Sequence, residues 1–288
     1  MPRQAIERQH LTGERALFQA RHLDIRDTMF ADGESPLKHA SGIRLDSCVF
    51  GWKYPLWYAS DVVMSDSALL EGARSGIWYT RDITLTRCLV AAPKAFRHCE
   101  GITLDHVDIP NAAETLWSCR DVTLRDVSVT GDYVGLDTSG VRASNLRVQG
   151  NYLFDGGTDI EIDGGVLLSK DAFWNCRDVT VRNCLVVGEY LGWNSSHLTF
   201  ENCTIESLQG LCFVQDLVLR NCRLVNTTLA FEYSTVDATI DSTIDSVVNP
   251  AGGIIRSRGI GELIQDAAAL DPGATRFETL PADGKDKP

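Results

Sequence analysis

The sequence predicts an all-β fold, a single right-handed parallel β-helix of about twelve coils, and three observations carry that reading. The first is a tandem repeat. Residues 178–196 (DVTVRNCLVVGEYLGWNSS), 197–215 (HLTFENCTIESLQGLCFVQ) and 216–234 (DLVLRNCRLVNTTLAFEYS) follow one another without a gap, 19 residues each. The second is a pair of apolar columns. Taking the first aliphatic residue of each unit as an anchor gives Leu23, Ile43, Val62, Ile83, Ile102, Val122, Val141, Ile160, Val179, Leu198, Leu217 and Val236. Two residues past each anchor stands another apolar residue, Ile25, Leu45 and Met64 through to Ala238. An offset of two is the periodicity of a strand. The third is a bend column four past the anchor, with Asp27, Asp66, Asp126, Asn145, Asn183, Asn202 and Asn221. Asn and Asp tolerate left-handed backbone angles and bond their own chain, which suits a corner.

A unit this short cannot bury its own apolar face, but stacked units pair their strands with the coils above and below. The strong right-handed bias of parallel crossovers sets the expected hand. A leucine-rich repeat has a similar period, but no unit carries its leucine spacing or a helical apolar stripe. In chain order, residues 1–12 are expected to cap the open end. Residues 13–267 should form the β-helix as one elongated domain, with a C-terminal capping segment from about residue 246, where SVVNP breaks the frame. Residues 268–288, rich in Pro, Gly and charge, read as a flexible tail.

A net charge of -12 and a pI near 4.9 argue against a nucleic-acid partner. There is no apolar N-terminal segment and no run long enough to span a bilayer, so a soluble protein of the cytoplasm without a membrane partner is expected. Nine cysteines tempt a disulfide reading, but Cys48, Cys88, Cys184, Cys203 and Cys222 share one column and Cys99, Cys119 and Cys176 another. Cysteine in a repeated inward column acts as a small hydrophobe. No CxxC pair and scattered histidines predict no metal, and the absence of a phosphate-binding glycine loop predicts no cofactor.

The strand leading into each anchor breaks the monotony. Five before the anchor stand Trp57, Trp78, Arg97, Trp117, Asp155, Trp174 and Trp193, five of the six tryptophans. Eight or nine before it lie Lys53, Arg74, Lys94, Glu114, Asp132, Lys170, Asp171 and Glu189, with Tyr54, Tyr133, Tyr152 and Tyr190 among them. The column six before the anchor is apolar or glycine throughout; if it points inward, the tryptophans point out. Lys38, Arg97 and Asp155 in the tryptophan column favour that phase, since unpaired buried charge is costly. The opposite phase, with small residues flanking a buried indole, is also consistent.

The stretches GERALF, KYPLWY, APKAFR, AETLW, GNYLFDG, LSKDAFWN, GEYLGWNS, LAFEYS and SVVNP, in this order, resemble the bacterial family catalogued as domain of unknown function 3737, over about residues 11–265. The resemblance implies a β-helix of the pectin-lyase-like kind and no activity. The chain lacks the NTD, DD and RIK triplets of polygalacturonases.

Two functions are expected from the ridge. The first is binding of an oligosaccharide, with its processing by hydrolysis or elimination as a further step: sugar rings stack on aromatic faces and paired carboxylates supply acid and base. Asp155 with Asp171 are the first candidates for that pair, then Glu189, with Lys170 as charge stabiliser or base and Asp132 alongside. The substrate-binding set is Trp57, Trp78, Arg97, Trp117, Tyr133, Tyr152, Trp174, Asn175, Tyr190, Trp193, Asn194 and Glu232. The second is a non-enzymatic scaffold presenting a flat solenoid face to a protein partner or a second copy. A bland reading stands beside both: stacked charges form a solvated ion-pair ladder, and the asparagines form turns. Oligomeric state is not legible.

Overall fold

The computed structural model describes residues 3–268 and 270–281. It divides into two compact units, Met1–Asn151 and Tyr152–Pro288, each a stack of parallel strands. Among the described residues no helix is long and apolar enough to cross a membrane.

In the first unit one strand column comprises Gln4–Glu7, Leu23–Arg26, Ser41–Asp46, Ser60–Ser65, Arg81–Thr86, Glu100–Asp105, Arg120–Arg125 and Ser139–Asn151. Every pairing is parallel, and the register places anchor opposite anchor: Ile43 on Val62, Val62 on Ile83, Ile83 on Ile102, Ile102 on Val122, Val122 on Val141. These anchors and the column two past them are buried, so each coil covers the apolar edge of the next. A shorter column, from His10–Leu11 to Ser128–Thr130, closes the opposite side of the corner.

The bend column is left-handed as the Asn/Asp pattern predicts, with φ of 47° at Asp27, 49° at Asp66, 51° at Asp126 and 50° at Asn145. Ser47, Arg87 and His106 take the same conformation without that chemistry. At one point the backbones of successive coils approach so closely that only glycine fits: a Cβ on Gly150 would collide with the carbonyl of Gly131.

The second unit repeats the arrangement with Thr158–Lys170, Arg177–Val187, Ser196–Glu201, Leu217–Leu224, Thr235–Val248, Gly252–Ile264 and Thr275–Thr279. Its bends carry an asparagine ladder: Asn183 Nδ2 donates to Asp163 (2.6 Å), Asn202 to Asn183 (3.3 Å) and Asn221 to Asn202 (2.8 Å). The amide of each rung serves as acceptor for the next, so the left-handed corner is held by side chains as well as backbone.

The strand columns extend beyond the twelve anchors, to about 14 turns in all. Gln4–Glu7 and His10–Leu11, in the stretch expected to cap the solenoid, are strands in register with Leu23–Arg26 and Met29–Phe30. At the other end, Gly252–Ile264 continues the parallel ladder from Thr235–Val248, and Thr275–Thr279 adds a rung inside the expected tail. The frame breaks in sequence there because the register shifts twice, between Leu219 and Cys222 and between Ile240 and Thr243. Residues 282–288 of that tail lie outside the described residues.

All nine cysteines are buried free thiols. Cys99, Cys119 and Cys176 share their column with Thr80, Thr138 and Ser195, whose hydroxyls bond backbone: Ser195 accepts from Cys176 N (2.8 Å) and donates to Phe173 O (2.7 Å). The column selects small side chains that bond the chain around them, which is why Cys, Ser and Thr interchange along it.

Candidate functional site

The ridge faces outward. In the first unit Leu37, Leu56, Ile77, Phe96 and Leu116 are all 0% exposed, and the adjoining Trp57, Trp78 and Trp117 are half-buried on the other side of the pleat. The tryptophan faces are nevertheless covered. Lys38 Nζ lies 5.6 Å from the Trp57 ring, which stacks on Trp78 at 5.2 Å and 7°. The guanidinium of Arg97 then fits between Trp78 (4.7 Å) and Trp117 (4.3 Å). A second row, one residue further on, stacks His39, Tyr58, Tyr79 and His98 at 5.0, 4.8 and 5.2 Å. Rungs in register bring like rings face to face at the strand spacing, so each indole finds its partner in its own chain.

The indole N–H groups are occupied too. Trp57 donates to Ser75 O (2.6 Å), Trp78 to Lys94 O (2.8 Å) and Trp117 to Tyr133 O (2.7 Å), each a carbonyl of the next coil. Three basic groups of the ridge are paired: Lys53 with Glu34 at 3.1 Å, and Lys94 and Arg97 with Glu114 at 2.8 and 3.2 Å. Asp132 accepts from the backbone N–H (2.8 Å) and side-chain amide (3.1 Å) of Asn151, tying one coil to the next. Tyr133 is exposed.

The second unit carries most of the other predicted residues. Trp174 and Trp193 stack at 5.8 Å and 12°, donating to Tyr190 O (2.6 Å) and Gln209 O (2.7 Å). Tyr152 meets Trp174 edge-on at 6.2 Å, and Tyr190 meets Trp193 at 5.4 Å. Beside them runs a polar row. Asn175 Nδ2 donates to Asp155 (2.8 Å), and Asn194 Nδ2 donates to Asn175 Oδ1 (2.8 Å). Lys170 and Glu189 form an exposed pair at 3.3 Å, with the Lys170 ammonium 5.3 Å from the Tyr190 ring. Glu232 is half-buried and accepts through its backbone carbonyl from Phe213 N (2.7 Å).

Asp171 differs from these. It is 3% exposed, in a left-handed conformation (φ 56°), and burial pushes its carboxyl above the ordinary value. The Lys170 charge and a hydrogen bond from Tyr152 act in the opposite direction, while Glu189 and Asp155 add to the rise. The carboxyl therefore keeps its proton to higher pH than a free aspartate, the property a general acid needs. Its neighbours are the exposed Lys170–Glu189 pair and the Asp155–Asn175–Asn194 row, groups able to meet hydroxyls with both donors and acceptors.

One cluster escaped the sequence reading. Asp105, His106 and Asp126, in the first unit, place ligand atoms within 4.8 Å of one another, and His106 Nδ1 lies 2.5 Å from Asp105 and Nε2 3.7 Å from Asp126. Chemically this trio could share a small cation. The signal was available: His106 occupies the bend column, and Asp126 follows it one coil later.

Among solved structures the chain is similar to the A-module of mannuronan C-5 epimerase AlgE4 from Azotobacter vinelandii, with 11% identity over 96% of this chain and 89% of that one and a TM-score of 0.32. It is similar to PfbA, a surface adhesin of Streptococcus pneumoniae, with 8% identity over 96% and 84% and a TM-score of 0.37. The catalytic domain of a GH87 alpha-1,3-glucanase in complex with nigerose gives 10% identity over 97% and 64% and a TM-score of 0.33. At these values the likenesses have no bearing on what this chain binds. No curated protein matches it. A family profile does match, over residues 4–278, and the chain belongs to that family, described as a protein of unknown function, DUF3737.

Proposed function

We propose that this protein binds an oligosaccharide along the polar row of the second unit, and that Asp171 is the general acid of a bond-breaking step there. The observation that carries the reading is the buried carboxyl of Asp171, raised by that burial, beside the exposed Lys170–Glu189 pair. Asp155, Asn175 and Asn194 present alternating acceptors and donors at the strand spacing of about 4.8 Å, a repeat suited to successive hydroxyl-bearing rings. Because the indole faces are occupied by one another, ring stacking is not the main contact; hydrogen bonds to this row are. In the step itself, the Asp171 proton passes to the glycosidic oxygen as the C–O bond breaks, water adds its hydroxyl to the freed carbon, and the remaining proton of that water restores the Asp171 carboxyl.

The test is tryptophan-fluorescence titration against neutral and acidic oligosaccharides, followed by product analysis with any glycan that binds. Trp174 and Trp193 border the row and report occupancy. Asp171→Asn should retain binding and lose cleavage. Silence of the whole panel sinks the reading.

The closed aromatic stack favours a second reading, a scaffold whose ridge is an internal spine. Lys38, Trp57, Trp78, Arg97 and Trp117 satisfy one another without any ligand. Under this reading tryptophan replacements change stability and nothing else.

A further inference from the structure

The first coil of the first unit leaves its core open. Ile6, Leu11, Leu17 and Ala20 occupy columns filled one coil later by Ile25, Phe30, Leu37 and Ala40. The later four are 0–4% exposed, whereas the first four are all half-exposed and Phe18 is 38% exposed. A cavity of about 380 Å³ lies against Ile6, Leu17, Phe18, Ala20 and Leu23. Gln4–Glu7 pairs with Leu23–Arg26, and among the described residues no strand pairs with its second edge.

The second unit ends in the same fashion. Thr275–Thr279 pairs only with Gly252–Ile264 among the described residues, leaving Phe277 and Leu280 half-exposed and Leu263 42% exposed. The two ends differ in charge. Residues 3–22 carry four arginines against two glutamates, a formal +2, and residues 262–281 carry four carboxylates against one arginine, a formal -3.

We propose that these ends are complementary halves of one interface, in which the first coil of one molecule docks on the last coil of a second copy, head to tail. The register specifies the contact. Gly253 faces Thr275 and Ile255 faces Phe277, in the columns where Gln4 faces Leu23 and Ile6 faces Ile25. The next parallel rung therefore sets Gln4 of the incoming copy on Thr275, Ala5 on Arg276 and Ile6 on Phe277. Ile6 and Phe277, each half-exposed in isolation, cover one another as their counterparts do inside each unit. Opposite net charge selects head-to-tail over head-to-head, which would bring two positive ends together. A contact between two different surfaces leaves one end of each added copy available to the next until a ring closes, so association grows with concentration.

The experiment combines sedimentation with cross-linking of the full chain. The mass should exceed that of the monomer at low ionic strength and fall as salt rises toward about 1 M, where screening acts within about 3 Å. Ala5→Cys and Arg276→Cys alter exposed outward positions, and circular dichroism checks that each variant folds. Under a mild oxidant that takes up the two thiol electrons and protons, a disulfide should form only when the two variants are mixed. A disulfide from Ala5→Cys alone shows head-to-head contact and overturns the proposal. Monomeric mass at every salt concentration, or no cross-link in the mixture, overturns it as well.

Discussion

Trp174 lies over Trp193 with ring centroids 5.8 Å apart and planes 12° from parallel, while its N–H is held by Tyr190 O at 2.6 Å. The ring thus has both a face and its one donor committed within the chain. Trp174→Phe keeps most of the stack and frees the carbonyl, and should cost about 1 kcal/mol in denaturant unfolding. Trp174→Ala removes the stack as well and should cost about 2–3 kcal/mol. Equal losses from the two variants would show that the hydrogen bond, and not the stack, is what matters.

Two aspartates should give opposite pH dependences. The carboxyl of Asp171 is raised by burial, so the folded state favours its protonated form. Its contribution to stability is full below the ordinary carboxylate range and is lost as pH rises through the folded value. Asp171→Asn should therefore stabilise at neutral pH, with the gain vanishing on acidification. The carboxyl of Asp237 is held below its ordinary value by hydrogen bonds from Arg220 (2.5 Å) and Arg256 (3.0 Å). Its contribution is full above the ordinary range and lost as pH falls, so Asp237→Asn should destabilise at neutral pH and do little in acid. Unfolding midpoints of the two variants between about pH 3 and pH 8 check both signs.

Asn202 combines a left-handed backbone (φ 53°) with two ladder bonds, to Asn183 and from Asn221. Asn202→Gly keeps the backbone freedom and loses the ladder, and should cost about 1–2 kcal/mol. Asn202→Ala loses both, and should cost about 1 kcal/mol more. Indistinguishable variants in thermal or urea unfolding would remove the backbone from the account.

The nine buried thiols should resist aromatic disulfide reagents in the native protein and all react on denaturation. Burial pushes Cys176, Cys184 and Cys212 up to about 12, so even at mildly alkaline pH few thiolates form. Rapid labelling of any of the three under native conditions would contradict the packing described.

The fold was legible because the columns are long. Anchor, apolar and bend positions recur often enough that the pattern survives Arg87 and His106 at corners suited to Asn. The ends were not legible, since Gln4–Glu7 offers a single inward residue, Ile6, and the rungs beyond Val236 follow two register shifts. The ridge was legible as a row of residues but not as a set of contacts. Periodicity places Arg97 between Trp78 and Trp117 in the column; it does not say that the guanidinium fills the gap and consumes both ring faces. Likewise Asp171 and Lys170 are neighbours in sequence, yet one is buried and the other exposed, a difference made by the turn that holds Asp171 at positive φ.

The gapless units 178–196, 197–215 and 216–234 bear on how such a chain changes its length over generations. Val179 faces Leu198 across one coil junction, and Leu217 faces Val236 across a later one; Asn183, Asn202 and Asn221 hold one another at the bends. Excision of residues 197–215 would bring Val179 to Leu217 and Asn183 to Asn221, the same kinds of neighbour in the same columns. Loss or duplication of a whole coil is thus a nearly silent event for this backbone, whereas loss of a single residue displaces every column after it. Inheritance in this architecture moves in steps of a full turn.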